Sequence, residues 1–106
     1  MSIFEDNVVD NDYWKLPDKF MGDLTTSYGG YLSVDVTGGY FRVTLEGIGV
    51  KLKSSSHNEL QFIETNWNIS SRNPRFPNNC QINLTRACFM VVLQNVTSFL
   101  VEANDR

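Results

Sequence analysis

Two runs of alternating apolar and polar residues, separated by a pair of glycines, constrain the fold of this 106-residue chain more than any other feature. Residues 31–37 and 40–46 each place every second side chain on an apolar face. Alternation with a period of two is typical of a strand that buries one face. Gly38-Gly39 between the runs favours a two-residue turn. The sequence therefore predicts that the two runs form an antiparallel β-hairpin.

The rest of the chain extends this strand pattern. Gly47-Ile48-Gly49 predicts a tight bend or a bulge rather than a nucleotide-binding loop, because no third glycine follows to open a helix. Residues 54–59 and 67–79 are rich in serine, asparagine or proline, which is typical of turns and loops. Further strands are predicted at residues 50–53, 60–65, 81–85 and 96–103. About six strands in all predict an all-β antiparallel sandwich.

Residues 86–94 are ambiguous on periodicity alone. Their apolar side chains fit one face of a helix, but Met90-Val91-Val92 also suits a buried strand. Both structures remain open at this point.

Composition argues against two classes of function. The net charge of −3 and the sequence pI of about 4.9 disfavour nucleic-acid binding, which requires a basic face. The longest apolar run, residues 87–93, is too short to span a bilayer. The length is that of a single domain. Residues 1–12 are acidic and polar, which predicts an extended lead-in, and they lack the basic and apolar regions of a signal peptide.

A dozen residues near the start of the chain form the pattern YW-x-LP-x-x-F-x-GD-x-x-x-SYGG-x-L. This pattern resembles the opening of laminin domain IV, also called the laminin B domain. Residues 43–52 and 86–103 also resemble the family and occur in its order. The matching residues of the opening are Tyr13, Trp14, Leu16, Pro17, Phe20, Gly22, Asp23, Ser27, Tyr28, Gly29, Gly30 and Leu32.

The resemblance implies a fold and a domain boundary. A jelly-roll-like β-sandwich is expected for residues 13–106, with residues 86–94 as a short helix. The family pattern continues past the equivalent of Ala103, so the domain is expected to lack its last strand. Trp14 and Phe20 are expected to be buried anchors of the opening motif. Trp67 is interpreted as a core residue rather than as part of a sugar-binding platform.

The resemblance also implies a function. Laminin domain IV is a non-enzymatic structural module of basement-membrane proteins, so the chain is expected in the extracellular matrix, secreted as part of a larger chain. The expected partners are other matrix proteins or modules of the same parent chain, with no nucleic acid, membrane span or cofactor. The alternative is a carbohydrate-binding module on a similar sandwich, with a glycan or calcium as ligand. The carboxylates considered for calcium are Asp23, Asp35, Glu46 and Glu64.

Cys80 and Cys88 are the only two cysteines of the chain. They flank a short segment that carries a glycosylation sequon, and the resemblance supplies an oxidising compartment, so a disulfide is expected. The other interpretation is two buried thiols, because Cys88 lies in an apolar run. A bridge requires the chain to double back near residues 84–85, since the two Cα atoms must approach to about 4.4–6.8 Å.

Three sequons are candidate N-glycosylation sites, at Asn68, Asn83 and Asn95. Asn68 is the best candidate because it borders the polar loop. Asn83 falls in a predicted strand, and a backbone role in a turn is the alternative for Asn95. His57, the only histidine, lies in a polar turn and is interpreted as a surface residue rather than a catalytic base.

Overall fold

The computed structural model of the chain describes residues 2–4, 13–15, 20–35, 40–71, 73–74 and 76–104. Across these residues the chain forms eight strands and two short α-helices. The strands are β1 (Ser2–Phe4), β2 (Tyr13–Lys15), β3 (Tyr31–Asp35), β4 (Tyr40–Gly47), β5 (Val50–Ser56), β6 (Glu59–Gln61), β7 (Asn68–Ser71) and β8 (Val96–Asn104). The helices are α1 (Asn78–Ile82) and α2 (Arg86–Leu93), and 3-10 turns occupy Thr25–Ser27 and Glu64–Asn66.

The strands form two sheets of a β-sandwich, which confirms the predicted fold class. The larger sheet has the order β2-β8-β4-β5-β7, with antiparallel neighbours throughout. The smaller sheet has the order β1-β3-β6, in which β1 runs parallel to β3 and β6 runs antiparallel to it. Both sheets contribute to one apolar core, with Leu32 and Leu60 from the smaller sheet and Leu45 and Val101 from the larger.

The predicted hairpin between residues 31–37 and 40–46 is wrong. β3 pairs with β1 and β6, whereas β4 pairs with β5 and β8, so the two strands lie in different sheets. The expected turn residues Gly38 and Gly39 lie outside the described residues. Alternation shows only that each strand buries one face, and here both sheets bury that face in the same core. β3 and β4 therefore contribute to the core from different sheets.

A tight hairpin instead joins β4 to β5, at the bend that the sequence predicts. Gly47 and Val50 are register partners, so Ile48 and Gly49 form a two-residue turn. Their φ angles are 51° and 75°, and positive φ at both central residues is the property of a type I′ turn. Asn73 Nδ2 donates to the Ile48 carbonyl oxygen at 2.8 Å, and a Cβ atom at Gly49 would lie 2.2 Å from that nitrogen. Glycine is therefore required at position 49.

Replacing Ile48 with asparagine is expected to raise the free energy of unfolding by about 1 kcal/mol. A β-branched residue with positive φ is strained, whereas asparagine tolerates this conformation and forms type I′ turns with a following glycine. The measurement is a urea titration, with Gly49→Ala as the opposite control because it adds a Cβ at a positive φ and against Asn73. Equal or lower stability of Ile48→Asn would show that the turn carries no strain.

Four other segments differ from the expectation. Within the predicted turn at residues 54–59, residues 54–56 belong to β5 and residue 59 begins β6. The predicted strand at residues 60–65 ends at Gln61 with β6, before the 3-10 turn Glu64–Asn66. Residues 81–85, predicted to be a strand, contain the end of α1 and an extended connection. Residues 67–79, predicted to be a loop, contain β7 and the start of α1. The strand β7 gives a weak sequence signal because it lies at the edge of its sheet and Ile69 is its one apolar residue. Contacts with neighbouring segments, rather than local sequence preference, therefore determine the structures of β7 and α1.

The short helix expected at residues 86–94 is confirmed as α2. It begins after Thr85, whose Oγ1 accepts a hydrogen bond from the Cys88 backbone N–H at 3.3 Å, a typical N-cap. A Cβ atom at Gly47 would lie 2.6 Å from the Val92 carbonyl oxygen, so glycine allows α2 to pack closely on the end of β4. The buried face of α2 consists of Cys88, Phe89, Val92 and Leu93.

Candidate functional site

The opening motif ties the two sheets together through backbone hydrogen bonds. Gly22 and Val96 exchange two such bonds, of 2.8 and 2.7 Å, at the start of β8. Gly29 N–H donates to the Phe62 carbonyl at 2.8 Å, and Phe62 N–H donates to the Gly30 carbonyl at 2.9 Å, just after β6. One end of the motif is thus fixed to the larger sheet and the other end to the smaller sheet.

The side chains of the motif have structural surroundings where they are described. Phe20 is half-buried and packs against the core. Asp23 is exposed, and its Oδ1 accepts hydrogen bonds from Thr25 Oγ1 at 2.6 Å and Thr25 N–H at 2.9 Å, which lower the pKa of the Asp23 carboxyl. The side chains of Tyr13 and Trp14, and the whole of Pro17, lie outside the described part of the chain.

Tyr28 joins the motif to α2 and to the turn at residues 64–66. Its hydroxyl donates a hydrogen bond of 2.5 Å to Glu64 Oε1, and its ring contacts Phe89 with the centroids 6.1 Å apart. The Arg86 guanidinium lies over the same ring, 4.9 Å from its centroid. The hydrogen bond raises the pKa of the Tyr28 hydroxyl and lowers the pKa of the Glu64 carboxyl. No local sequence pattern brings Tyr28 together with Glu64, Phe89 and Arg86.

The lowered pKa of Glu64 predicts a pH dependence of stability. The unfolded chain binds the Glu64 proton at higher pH than the folded chain does, so the free energy of unfolding falls as the pH falls from about 5 to 3. Glu64→Gln is expected to lose less stability across this window than the wild type. Chemical unfolding at a series of pH values checks this, and Tyr28→Phe, which removes the donor, should show the same weaker dependence. Parallel curves for wild type and Glu64→Gln would contradict the prediction.

The expected disulfide between Cys80 and Cys88 is present. Cys80 lies in α1 and Cys88 in α2, with their Cα atoms 5.6 Å apart and both side chains buried. The chain doubles back through residues 83–85, as the bridge requires. The bridge thus fixes α1, which is only five residues long, to the better-packed α2.

Five aromatic rings contact one another in series through the core. The Phe99 ring meets Phe62 at 6.1 Å, Phe62 stacks on Trp67 at 5.9 Å, Trp67 meets Phe89 at 5.8 Å, and Phe89 contacts Tyr28. Trp67 is only 3% exposed, so it belongs to the core rather than to a sugar-binding platform, as the sequence predicts.

The outward face of the larger sheet carries a groove of about 840 Å³, lined by residues of β8, β4, β5 and β7. Three cationic side chains line it, from Arg42, Lys51 and Lys53, and all three are exposed. Arg42 Nη1 lies 3.6 Å from Glu102 Oε1. The alternation of β5 places both lysines outward, but only the hairpin between β4 and β5 brings Arg42 beside them.

Other candidate ligand groups do not converge. Within the described residues, no three side chains of His, Cys, Asp or Glu gather closely enough to hold a metal ion. His57 is exposed, and its ring contacts Tyr40 edge-on at 6.3 Å. In the described part of the chain, neither α-helix has the length or apolar character needed to cross a bilayer.

Comparison with known families gives a match that covers most of the chain. The family model of laminin B (domain IV) matches residues 13–106. The chain belongs to the laminin B (domain IV) family. This assigns it to a family of laminin-type modules of the extracellular matrix, as the opening motif predicts.

A solved laminin domain has the same fold as this domain IV chain. The L4b domain of human laminin alpha-2 superposes with a TM-score of 0.58 at 18% sequence identity. The match covers 87% of this chain and 60% of the laminin domain, so the chain spans about three-fifths of that domain's length.

The three sequon asparagines of this domain IV module are all exposed. Asn68 begins β7 at the edge of the larger sheet, Asn83 lies between α1 and α2, and Asn95 lies between α2 and β8. The sequence placed Asn68 beside a loop and Asn83 in a strand, and the structure reverses these two settings. Exposure makes each side chain accessible to glycosylation, which stays a prediction.

Proposed function

We propose that this domain IV module is a non-enzymatic structural part of a basement-membrane protein, secreted within a larger chain. The module projects from the side of its parent chain and presents its surfaces to other matrix proteins or to neighbouring modules. Membership of the laminin B (domain IV) family supports the structural role. The side-branch arrangement rests on a separate observation, the pairing of β2 with β8.

The strands β2 and β8 are antiparallel neighbours at one side of the larger sheet. Tyr13, the first residue of the family match, is the register partner of Glu102 near the end of β8. Paired strands lie about 5 Å apart, so Tyr13 and Glu102 lie at the same end of the sandwich. A segment whose two flanking strands are paired is suited to insertion into a loop of another domain, because its entry and exit points on the host chain are then close together. A linear spacer would require its ends at opposite poles.

Deleting the module from its parent protein tests this arrangement. Residues 13–104 are replaced by a short glycine-serine linker, and the length of the parent chain is measured by electron microscopy of single particles. The expected result is that the lateral projection is lost and the length of the parent chain is unchanged. A parent chain that is shorter by about 39 Å, the long dimension of the module, would show that the module is an in-line spacer instead.

A second measurement does not depend on folding of the deletion variant. Fluorophores attached to tags at both ends of the isolated module should show energy transfer close to the maximum. Transfer that corresponds to ends on opposite poles of the sandwich would contradict the side-branch arrangement.

A further inference from the structure

We propose that the groove on the outward face of the larger sheet binds a sulfated polysaccharide, held by the cations Arg42, Lys51 and Lys53. This inference goes beyond the structural role above and does not depend on the side-branch arrangement. It rests on the charge, the register and the lining of the groove.

The groove is cationic on an acidic protein. The whole chain has a net charge of −3, yet three of its nine Lys and Arg residues line this one groove. The carboxylates on the same face are Glu102, which pairs with Arg42, and Glu46, which lies opposite Lys51 in the register. Among the described side chains, three cations therefore face two carboxylates, and no carboxylate comes within ion-pair distance of Lys51 or Lys53. Both ammonium groups remain available to an anionic ligand.

Strand register spaces the three cations along a line. Lys51 and Lys53 are two residues apart on one face of β5, a separation of about 7 Å. Lys53 is opposite Thr44, so Arg42 is its diagonal neighbour on β4, at about 7–8 Å. Arg42 is held in place by Glu102 and by Tyr40, whose hydroxyl accepts a hydrogen bond from Arg42 Nη2 at 2.9 Å. A linear ligand with repeated negative charges matches this line of cations.

The remaining lining consists largely of hydroxyl and amide groups. Thr44, Ser55, Asn68 and Ser71 line the groove, and none of them hydrogen-bonds through its side chain to another described residue. Such groups exchange hydrogen bonds readily with the hydroxyls and sulfates of a polysaccharide. Charge and polarity therefore point to the same ligand class.

The lining disfavours other ligands. No aromatic side chain is among the described lining residues. The ring of Tyr40, beside the groove, is covered by the Arg42 guanidinium at 5.5 Å from the ring centroid, so the lining gives a neutral sugar no ring on which to pack. A peptide partner needs a buried apolar pocket for its anchor residues, and a lipid surface needs apolar side chains that insert into it. The exposed groove side chains are charged or polar, and they provide neither.

A heparin oligosaccharide is the probe for this site. Binding to the folded module is measured by isothermal titration calorimetry at about 50 and 150 mM NaCl, with neutral dextran as the ligand control. Wild type is expected to bind heparin, more weakly at the higher salt concentration, and not to bind dextran. The double variant Lys51→Gln/Lys53→Gln is expected to bind at least about tenfold more weakly.

Matched variants distinguish binding in the groove from a general effect of the protein's net charge. Arg86→Gln removes a cation that lies over Tyr28, outside the groove, and should bind heparin as the wild type does. Lys51→Arg/Lys53→Arg keeps both charges and should also bind. Urea titration verifies that each variant is folded. No heparin binding at low salt by either the wild type or a variant without the Asn68 sequon overturns the proposal. A loss in the double lysine variant no larger than in Arg86→Gln overturns it as well.

The sequon at Asn68 requires one further variant in the binding experiment, because this residue lines the groove opposite Lys53. Asn68→Gln keeps an amide and removes the glycosylation signal. Binding by both wild type and Asn68→Gln supports the proposal. Binding by Asn68→Gln alone also supports it, and shows that a glycan on Asn68 covers the groove.

Discussion

Truncating Phe62 to alanine is expected to lower the free energy of unfolding by about 3–5 kcal/mol. Phe62 is 1% exposed and follows β6 of the smaller sheet, while its ring contacts Phe99 of the larger sheet and stacks on Trp67. The substitution removes the ring that links Phe99 to Trp67 in the aromatic series, and it leaves a cavity between the sheets. Urea titration of both proteins, with the slope compared, gives the change in stability.

A matched control distinguishes burial from hydrophobicity. Ile82 is a large apolar residue that is 82% exposed, so Ile82→Ala should change stability by less than about 0.5 kcal/mol. A loss below about 1 kcal/mol for Phe62→Ala would mean that the two sheets do not share this aromatic core.

Removing the disulfide with Cys80→Ala/Cys88→Ala is expected to cost about 2.5 kcal/mol or more. The bridge joins residues separated by eight positions, and closing a loop of this size restricts the unfolded chain by about that amount. Loss of packing by the two buried sulfur atoms adds to the effect. Urea titration under non-reducing conditions measures the difference between the two proteins.

The variant Thr85→Ala distinguishes the contribution of the disulfide to stability from the contribution of helix α2. It removes the N-cap of α2 while the bridge remains, at an expected cost of about 1 kcal/mol. If the double cysteine variant were no less stable than Thr85→Ala, the bridge would contribute little beyond local helix structure.

Strong local patterns predicted the best-packed elements. Alternation correctly places Phe41, Val43 and Leu45 of β4 in the core, and it does the same for Phe99 and Val101 of β8. These strands bury one face and expose the other, so their periodicity is fully expressed in the sequence. The helix α2 was ambiguous by periodicity, and the family resemblance resolved it correctly.

Strand pairing could not be read from the same patterns. The glycine pair at residues 38–39 gave the stronger hairpin signal, yet the hairpin forms at Ile48-Gly49. Either turn is compatible with the neighbouring alternation, because the choice depends on which sheet each strand joins. That choice is made by distant residues such as Leu60 and Val101, which pack from different parts of the chain.

The candidate site also depends on strand pairing, which local sequence patterns do not determine. Alternation within residues 50–53 predicts that Lys51 and Lys53 point outward. The groove, however, forms only because β4, β7 and β8 lie in the same sheet as β5. Tyr28 and Glu64 are separated by 36 positions, and no local pattern relates them. The disulfide is easier to predict from the sequence, since the chain has only two cysteines to pair.

If this chain is an extracellular domain IV module, Cys80 and Cys88 are bridged in the secreted protein, and mass spectrometry of the cysteine peptides measures this. The parent protein is recovered from culture medium, alkylated without prior reduction and digested. The peptides that contain Cys80 and Cys88 are then weighed. We expect one linked pair of peptides without alkyl groups, which separates and gains two alkyl groups only after reduction. Two alkylated, unlinked peptides before reduction, or retention of the protein inside the cell, would contradict this expectation.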